Sequence, residues 1–151
     1  MTSPPEKMAL AWEEIGLIYE GLAFASRPLR ALTHDINERH DLGPRGSWIL
    51  LMISSGTLHP LDIATILGIG RSLVTAELVR LEKAGLLVMR KAPRDQRRTE
   101  LTLSAQGQDI CAHLRLAMTQ MIQERWAHYS AQEVRLCIKM LQDIRCEPPR
   151  L

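Results

Sequence analysis

Apolar residues recur at helical spacing over the first 39 positions of the chain, with polar residues between them. This pattern predicts either one bent helix or two consecutive helices from about Pro5 to Arg39. Because Pro28 removes a helix hydrogen bond, we expect a kink or a break near Ser26 and Arg27. The apolar positions are Met8, Trp12, Ile15, Ile18, Tyr19, Leu22, Leu29, Leu32 and Ile36.

Proline and glycine divide the next part of the chain into three short helices. The first is predicted to begin at Pro44 and to end near Ser54, since proline suits the first position of a helix. The second is predicted over Pro60–Leu67 and the third over Arg71–Ala84, with a glycine-containing turn between them. Two short helices joined in this way are typical of a helix-turn-helix. Their inward positions are predicted to be Leu61, Ile63, Ala64, Leu67, Leu73, Val74, Leu78 and Leu81.

A β-hairpin and two further helices complete the predicted elements. Two short β-prone runs, Leu86–Met89 and Thr99–Leu103, flank a polar loop over residues 90–98. Ser104 is expected to cap a long helix to about His128, and Ser130 to begin the last helix. The predicted fold is mainly α: a winged helix-turn-helix with a small β-hairpin wing, flanked by N- and C-terminal dimerisation helices.

Charge is distributed unevenly along the chain. The formal net charge is +2, but Arg71–Arg98 contains eight positive and three negative residues, a net +5 that leaves −3 for the remainder. A basic segment on an otherwise acidic protein is what a phosphate-facing surface looks like. From composition alone, a charged face that is merely solvated is about as well supported as a surface that binds phosphate. Aromatic residues make up 4% of the chain, so the core must be built mainly from aliphatic side chains.

The helix from Arg71 and the basic hairpin together favour DNA binding. An α-helix fits the major groove and reads base edges with its N-terminal residues. The outward candidates here are Arg71, Ser72, Thr75 and Ala76, with Glu77 and Arg80 farther along. A hairpin arginine suits the adjacent minor groove. Thr75 could equally be a capping hydroxyl, and Arg80 a structural ion-pair partner. The basic candidates of the hairpin are Arg90, Lys91, Arg94, Arg97 and Arg98.

The run from His59 to Ser104 resembles the DNA-binding core of the MarR family, the multiple-antibiotic-resistance regulators. The resemblance rests on Arg80-Leu81-Glu82-Lys83-Ala84-Gly85-Leu86, on Pro93-Arg94-Asp95-Gln96-Arg97-Arg98, and on Leu101-Thr102-Leu103-Ser104 with Gly107. It implies that Arg97 enters the minor groove and that Asp95 orients it. Met89 and Ala76 depart from the family pattern, at positions often occupied by arginine and by a polar residue.

The same resemblance implies a homodimer on a pseudo-palindromic double-stranded DNA operator, often released by a small aromatic or phenolic effector. It divides the chain into dimerisation helices over 1–41, a DNA-binding domain over 42–104 and further dimerisation helices over 105–151. An intramolecular helical core would give the same periodicity, so the dimer remains an expectation. Interface candidates are Trp12, Ile15, Ile138, Leu141 and Ile144; effector candidates are Arg27, Arg30, His34 and Trp48.

Several other classes of protein find no support in the sequence. No apolar run is long enough to span a bilayer, and the first residues lack the basic-then-apolar layout expected of a signal peptide. Three cysteines, Cys111, Cys137 and Cys146, have no metal-ligand spacing and indicate a reducing cytoplasm. No catalytic, cofactor or metal motif appears, so we expect neither an enzyme nor a bound cofactor. The competing hypothesis is a helical protein-interaction module that uses the winged surface to bind another protein.

Overall fold

The computed structural model describes residues 10–145 in two compact units, one extending to Leu114 and one beginning at Arg115. Met8 and Cys146, which figure in the sequence predictions, lie outside the described residues. The elements in chain order are α1 (Trp12–Phe24), α2 (Ser26–Arg39), α3 (Gly46–Ser54), α4 (Pro60–Leu67), α5 (Arg71–Lys83), β1 (Leu87–Ala92), β2 (Asp95–Leu103), α6 (Ala105–Arg125) and α7 (Ala131–Arg145).

Proline breaks the first predicted segment into two helices, at a slightly different place from the one expected. The break falls at Ala25, one residue before the predicted position, and Pro28 lies in the first turn of α2. A proline there costs little, because the first amides of a helix have no partner within it. The helix expected to begin at Pro44 begins instead at Gly46, since Pro44 is part of a turn closed by the Gly46 amide on the Gly43 carbonyl, at 3.0 Å.

The hairpin is longer than predicted, and the basic residues lie mostly in its strands. β1 and β2 are antiparallel, pairing Leu87 with Leu103 and Lys91 with Thr99. The loop predicted over residues 90–98 therefore shrinks to a turn at Pro93 and Arg94. Cross-strand hydrogen bonds outweigh the low β-propensity of the charged residues, which project into solvent and do not need to be buried.

One core joins α3, α4, α5 and the base of the hairpin. On α5 the buried residues are Val74, Glu77, Leu78 and Leu81, which share one helical face. Leu73, predicted to point inward, is 51% exposed, and Leu61 of α4 is also exposed. Both predictions were wrong, because each residue lies beside the buried face of its helix and not on it. The core residues are Ile49, Leu50, Ile53, Ile63, Ala64, Val74, Leu78, Leu81, Leu86, Leu87, Leu101 and Cys111.

Two serines cap helices, as predicted. The Ser104 hydroxyl accepts a hydrogen bond from the Gly107 amide at 3.0 Å and donates one to the Gly85 carbonyl at 2.6 Å, so it also closes the base of the hairpin. Ser130 caps α7 with Glu133, whose carboxylate accepts hydrogen bonds from the Ser130 hydroxyl and amide. These bonds lower the pKa of the Glu133 carboxyl. α6 ends at Arg125, three residues before the predicted end.

A buried amide joins α2 to the beginning of α3. The Asn37 side-chain oxygen accepts hydrogen bonds from the Ser47 amide at 3.1 Å and from the Ser47 hydroxyl at 2.6 Å. The Asn37 carbonyl accepts the Leu42 amide at 2.8 Å. Asn37 thus fixes the turn that leads into α3, which packs against α5.

Replacing Asn37 by alanine is expected to destabilise the chain by about 1–3 kcal/mol, because two buried donors on Ser47 lose their acceptor. Urea unfolding measures the change. Thr65→Ala is the control, since it removes an exposed hydroxyl that bonds only its own helix at Leu61. Equal effects of the two substitutions would contradict the structural role of Asn37.

Candidate nucleic-acid interface

The N-terminal half of α5 presents a row of exposed polar side chains. Arg71, Ser72 and Thr75 are exposed, as is Ala76 beside them. The core stripe that begins at Val74 fixes this orientation by facing the opposite way. The Thr75 hydroxyl donates to the Arg71 carbonyl at 2.9 Å, which leaves its oxygen able to accept but occupies its proton. Arg80 is exposed farther along the same helix.

The basic residues of the hairpin form the second part of the surface. They lie on both strands and at the turn, and all are exposed: Arg90, Lys91, Arg94, Arg97 and Arg98. Asp95 accepts a hydrogen bond from the backbone amide of Arg97 at 3.0 Å. Among the described side chains, no ion pair joins Asp95 to the Arg97 guanidinium. The expected orienting ion pair is therefore replaced by a turn-type bond that fixes the backbone at Arg97.

A cleft lies between α5 and the hairpin. It has a volume of about 390 Å³, with Arg71 and Thr75 on one wall and Arg97 and Arg98 on the other. The floor is formed by residues at the beginning of α4 and by one residue of β2: His59, Pro60, Leu61, Asp62 and Thr99. Three guanidinium groups face one carboxylate across this space, so the cleft is cationic and suited to an anionic strand.

A second cleft of about 380 Å³ lies on the other side of the hairpin turn. Arg94 and Arg98 line it together with two carboxylates, Asp95 and Glu100. The two arginines and two carboxylates of this cleft balance in charge, so it attracts an anion less strongly than the first cleft does. His59 and Arg98 line both clefts and stand at the boundary between them.

Two residues of this region were missed or misplaced by sequence reasoning. No role for His59 was predicted from the sequence, yet its ring lies between α4 and β2, with Nδ1 3.3 Å from the Thr99 carbonyl oxygen. Glu77 was expected to face outward but is 7% exposed, and its Oε2 has no hydrogen-bond partner. The periodicity contained the second signal, because position 77 falls between Val74 and Leu81 on the inner face.

The structure shows how the chain departs from the family pattern at position 89, which arginine often occupies. Met89 is half-buried against the core, and its amide donates to the Glu82 carboxylate at 2.9 Å. The neighbouring Arg90 is exposed and pairs across the hairpin with Glu100. A cation is thus present on the strand, one residue later than the family pattern would put it.

The effector and dimer candidates lie on the helices outside this surface. Arg27 stacks over the Phe24 ring at 4.2 Å, and His34 lies 3.2 Å from the Glu38 carboxylate. Arg30 is exposed, and Trp48 is half-buried. The dimer candidates are apolar yet largely uncovered: Trp12 is 73% exposed and Ile144 58%, with Ile15 half-buried and with Ile138 and Leu141 also exposed.

Searches for other kinds of site gave two findings. Within residues 10–145, no group of three or more histidine, cysteine or acidic side chains could hold a metal ion. No helix of that range is long and apolar enough to cross a membrane. Cys111 is buried in the core, as expected of a small apolar residue, and Cys137 is half-buried.

Comparison with known proteins gives one relative by sequence. The chain is 37% identical over 98 residues to the HTH-type transcriptional regulator FarR of Neisseria gonorrhoeae. The match covers 64% of this chain and 63% of FarR, slightly under two thirds of that relative's length. No protein-family model matches the chain.

Solved structures show the same fold over nearly the whole chain. A MarR protein from Peptoclostridium difficile has a TM-score of 0.71 at 14% identity, covering 95% of this chain and 92% of that one. A MarR-family transcriptional regulator from Listeria monocytogenes, solved with a 26mer DNA, has a TM-score of 0.70 at 16% identity, covering 91% and 88%. MarR from E. coli, in a mutant form, has a TM-score of 0.63 at 19% identity, covering 92% and 98%. The chain therefore has the winged helix-turn-helix fold of MarR proteins, and over 98 residues it is similar in sequence to the transcriptional regulator FarR.

Proposed function

We propose that the chain is a sequence-specific DNA-binding transcriptional regulator. The observation that carries the proposal is the cationic cleft that Arg71 and Thr75 share with Arg97 and Arg98. An exposed helix and a projecting arginine hairpin on one side of a domain can enter neighbouring grooves of a duplex together. The FarR similarity and the DNA-bound Listeria structure support the same reading.

We expect α5 and the hairpin to contact different grooves, because the major and minor grooves differ in their chemistry. Arg71, Ser72 and Thr75 would face base edges and phosphates in the major groove, where arginine can contact guanine with two hydrogen bonds. Arg97 would enter the minor groove, whose negative potential in narrow A·T segments attracts a guanidinium. The remaining hairpin cations would lie near phosphates and supply affinity that depends on salt.

We propose further that the active form is a homodimer on a pseudo-palindromic operator. One winged domain makes too few contacts for tight specific binding, and two-fold pairing doubles them. The apolar residues uncovered on α1 and α7, among them Trp12, Ile138 and Ile144, provide surface for such pairing. Half-sites would then lie about one DNA turn apart, roughly 34–36 Å.

Repression relieved by an aromatic or phenolic effector is the proposed mode of regulation. Arg27, Arg30, His34 and Trp48 are the proposed effector residues, because they offer cations, hydrogen bonds and an aromatic wall on α2 and α3. Binding there would release DNA by changing the spacing of the two recognition helices.

Selection of duplexes from a random-sequence pool tests the DNA-binding proposal. The purified full-length chain should enrich a pseudo-palindromic site and bind it more tightly than a shuffled duplex of the same length. Failure to bind any duplex, even at low salt, would overturn the proposal and favour the protein-interaction module. Addition of aromatic carboxylates or phenols to the enriched complex then tests effector release.

Replacing Ile138 by glutamate is expected to shift the chain from dimer to monomer, because a carboxylate would be buried at the proposed interface without a partner. Analytical ultracentrifugation measures the change. Gln132→Glu adds the same charge at an exposed polar position of α7 outside the proposed interface and should leave the dimer intact. A dimer of unchanged stability in Ile138→Glu would remove α7 from the proposed interface.

A further inference from the structure

His59 is held at the floor of the cationic cleft by a bond to the hairpin. It is the residue before Pro60, at the N-cap of α4, and its Nδ1 lies 3.3 Å from the carbonyl oxygen of Thr99 in β2. One residue earlier, the Leu58 carbonyl accepts the Leu101 amide at 3.1 Å. The imidazole is therefore fixed relative to both α4 and the hairpin.

The partner of Nδ1 determines where the imidazole carries its proton. A carbonyl oxygen only accepts hydrogen bonds, so Nδ1 must be the donor. In the neutral ring Nε2 is then an acceptor, and it is the nitrogen left to meet whatever occupies the cleft. A phosphate oxygen is also an acceptor, so the neutral ring and a phosphate repel each other. Only the protonated ring donates from both nitrogens.

Neighbouring major and minor grooves are separated by one sugar–phosphate strand. On the proposed function, Arg71 faces one groove and Arg97 the other, and the cleft between them is the place for that strand. We propose that His59 contacts a DNA phosphate there and that binding takes up a proton on its Nε2. This inference rests on the proposed function, and it adds a residue and a regulation by pH that the function itself does not require.

The charges around the ring change in balance when DNA enters. A phosphate in the cleft adds negative charge beside Nε2 and shifts the balance toward the protonated ring. The groups that face His59 across the two clefts are Arg71 from α5, Asp62 from α4, and Arg94, Asp95, Arg97, Arg98 and Glu100 from the hairpin.

The test measures affinity for a duplex selected by the wild-type chain at pH 7, at fixed salt between pH 6 and pH 8. Wild-type affinity should rise toward pH 6, by up to about tenfold for each protomer where the complex holds the proton tenfold more strongly. His59→Asn keeps a donor for the Thr99 carbonyl and a good N-cap but cannot titrate, so its affinity should not follow pH. His59→Lys carries a permanent charge and should keep high affinity at pH 8.

The matched control is His113→Asn. His113 makes the same kind of bond, from Nδ1 to the Asp109 carbonyl at 2.8 Å, but lies on α6 and lines neither cleft. It should keep the wild-type dependence on pH. Nitrogen-15 NMR of the free wild-type chain should show His59 with its proton on Nδ1 when neutral.

Two results would overturn the inference while leaving DNA binding intact. One is a wild-type pH dependence retained in His59→Asn, and the other is a neutral His59 protonated on Nε2. The NMR result stands even if a His59 variant does not fold. Absence of binding by the wild-type chain at every pH would instead overturn the proposed function.

Discussion

Replacing Arg97 by alanine is expected to weaken DNA binding by about fivefold or more per half-site, with the chain remaining folded and its oligomeric state unchanged. Loss of a groove-reading arginine costs about 1–3 kcal/mol, and a dimer loses two such contacts. Arg97 is exposed, so its removal leaves no cavity. Its amide remains available to bond Asp95, which preserves the hairpin turn.

Fluorescence anisotropy with the selected duplex, at two salt concentrations, measures the loss. Arg39→Ala is the matched control, because Arg39 is an exposed arginine in the last turn of α2 and lines neither cleft. It removes the same charge and should change affinity little. Wild-type affinity in Arg97→Ala would exclude Arg97 from DNA recognition.

The effect of salt separates the roles within the hairpin. Removal of a cation that only neutralises a phosphate lowers the salt dependence of binding by about one counterion and weakens binding to all sequences alike. A groove-reading arginine also changes which sequences are preferred. Arg97→Ala should therefore alter the DNA sequence that the chain selects. Lys91→Ala should weaken binding without altering that sequence.

Elements bounded by local signals could be predicted from the sequence closely. α4 has the predicted bounds because Pro60 fixes its first turn and Gly68, with φ of 62°, ends it in a left-handed conformation. The exposed polar row at Arg71, Ser72 and Thr75 was also predicted, since helical geometry puts Ser72 opposite the buried stripe, Thr75 lies beside that stripe, and Arg71 lies in the first turn before the stripe begins.

Features that depend on pairing between distant residues could not be predicted. Residues 90–98 were expected to be the loop of the hairpin, because local composition does not reveal that β1 and β2 continue to pair into this charged segment. The role of His59 depends on a carbonyl forty residues away. No local pattern in the sequence indicates that contact.

Gly107→Ala is the substitution expected to affect stability most. Gly107 lies in the first turn of α6, and a Cβ built there would overlap the backbone carbonyl of Leu86, well inside van der Waals contact. Leu86 cannot easily withdraw, because its carbonyl accepts the Ser104 amide at 3.0 Å and its side chain is fully buried. The glycine shared with the family pattern is thus required for close packing of α6 against the hairpin base.

We expect Gly107→Ala to destabilise the chain by at least about 1–3 kcal/mol and to lower the midpoint of thermal unfolding by several degrees. The displaced hairpin base should also reduce DNA affinity, since Ser104 links Gly107 to Gly85. Gly21→Ala in α1 is the matched control: a Cβ there meets nothing within 4 Å, and the gain in helix propensity should stabilise by up to about 1 kcal/mol. Calorimetry distinguishes the two, because steric overlap predicts opposite signs for the same chemical change. Equal midpoints would mean that α6 can move away from Leu86 without loss, and the close contact would then not be what requires glycine at position 107.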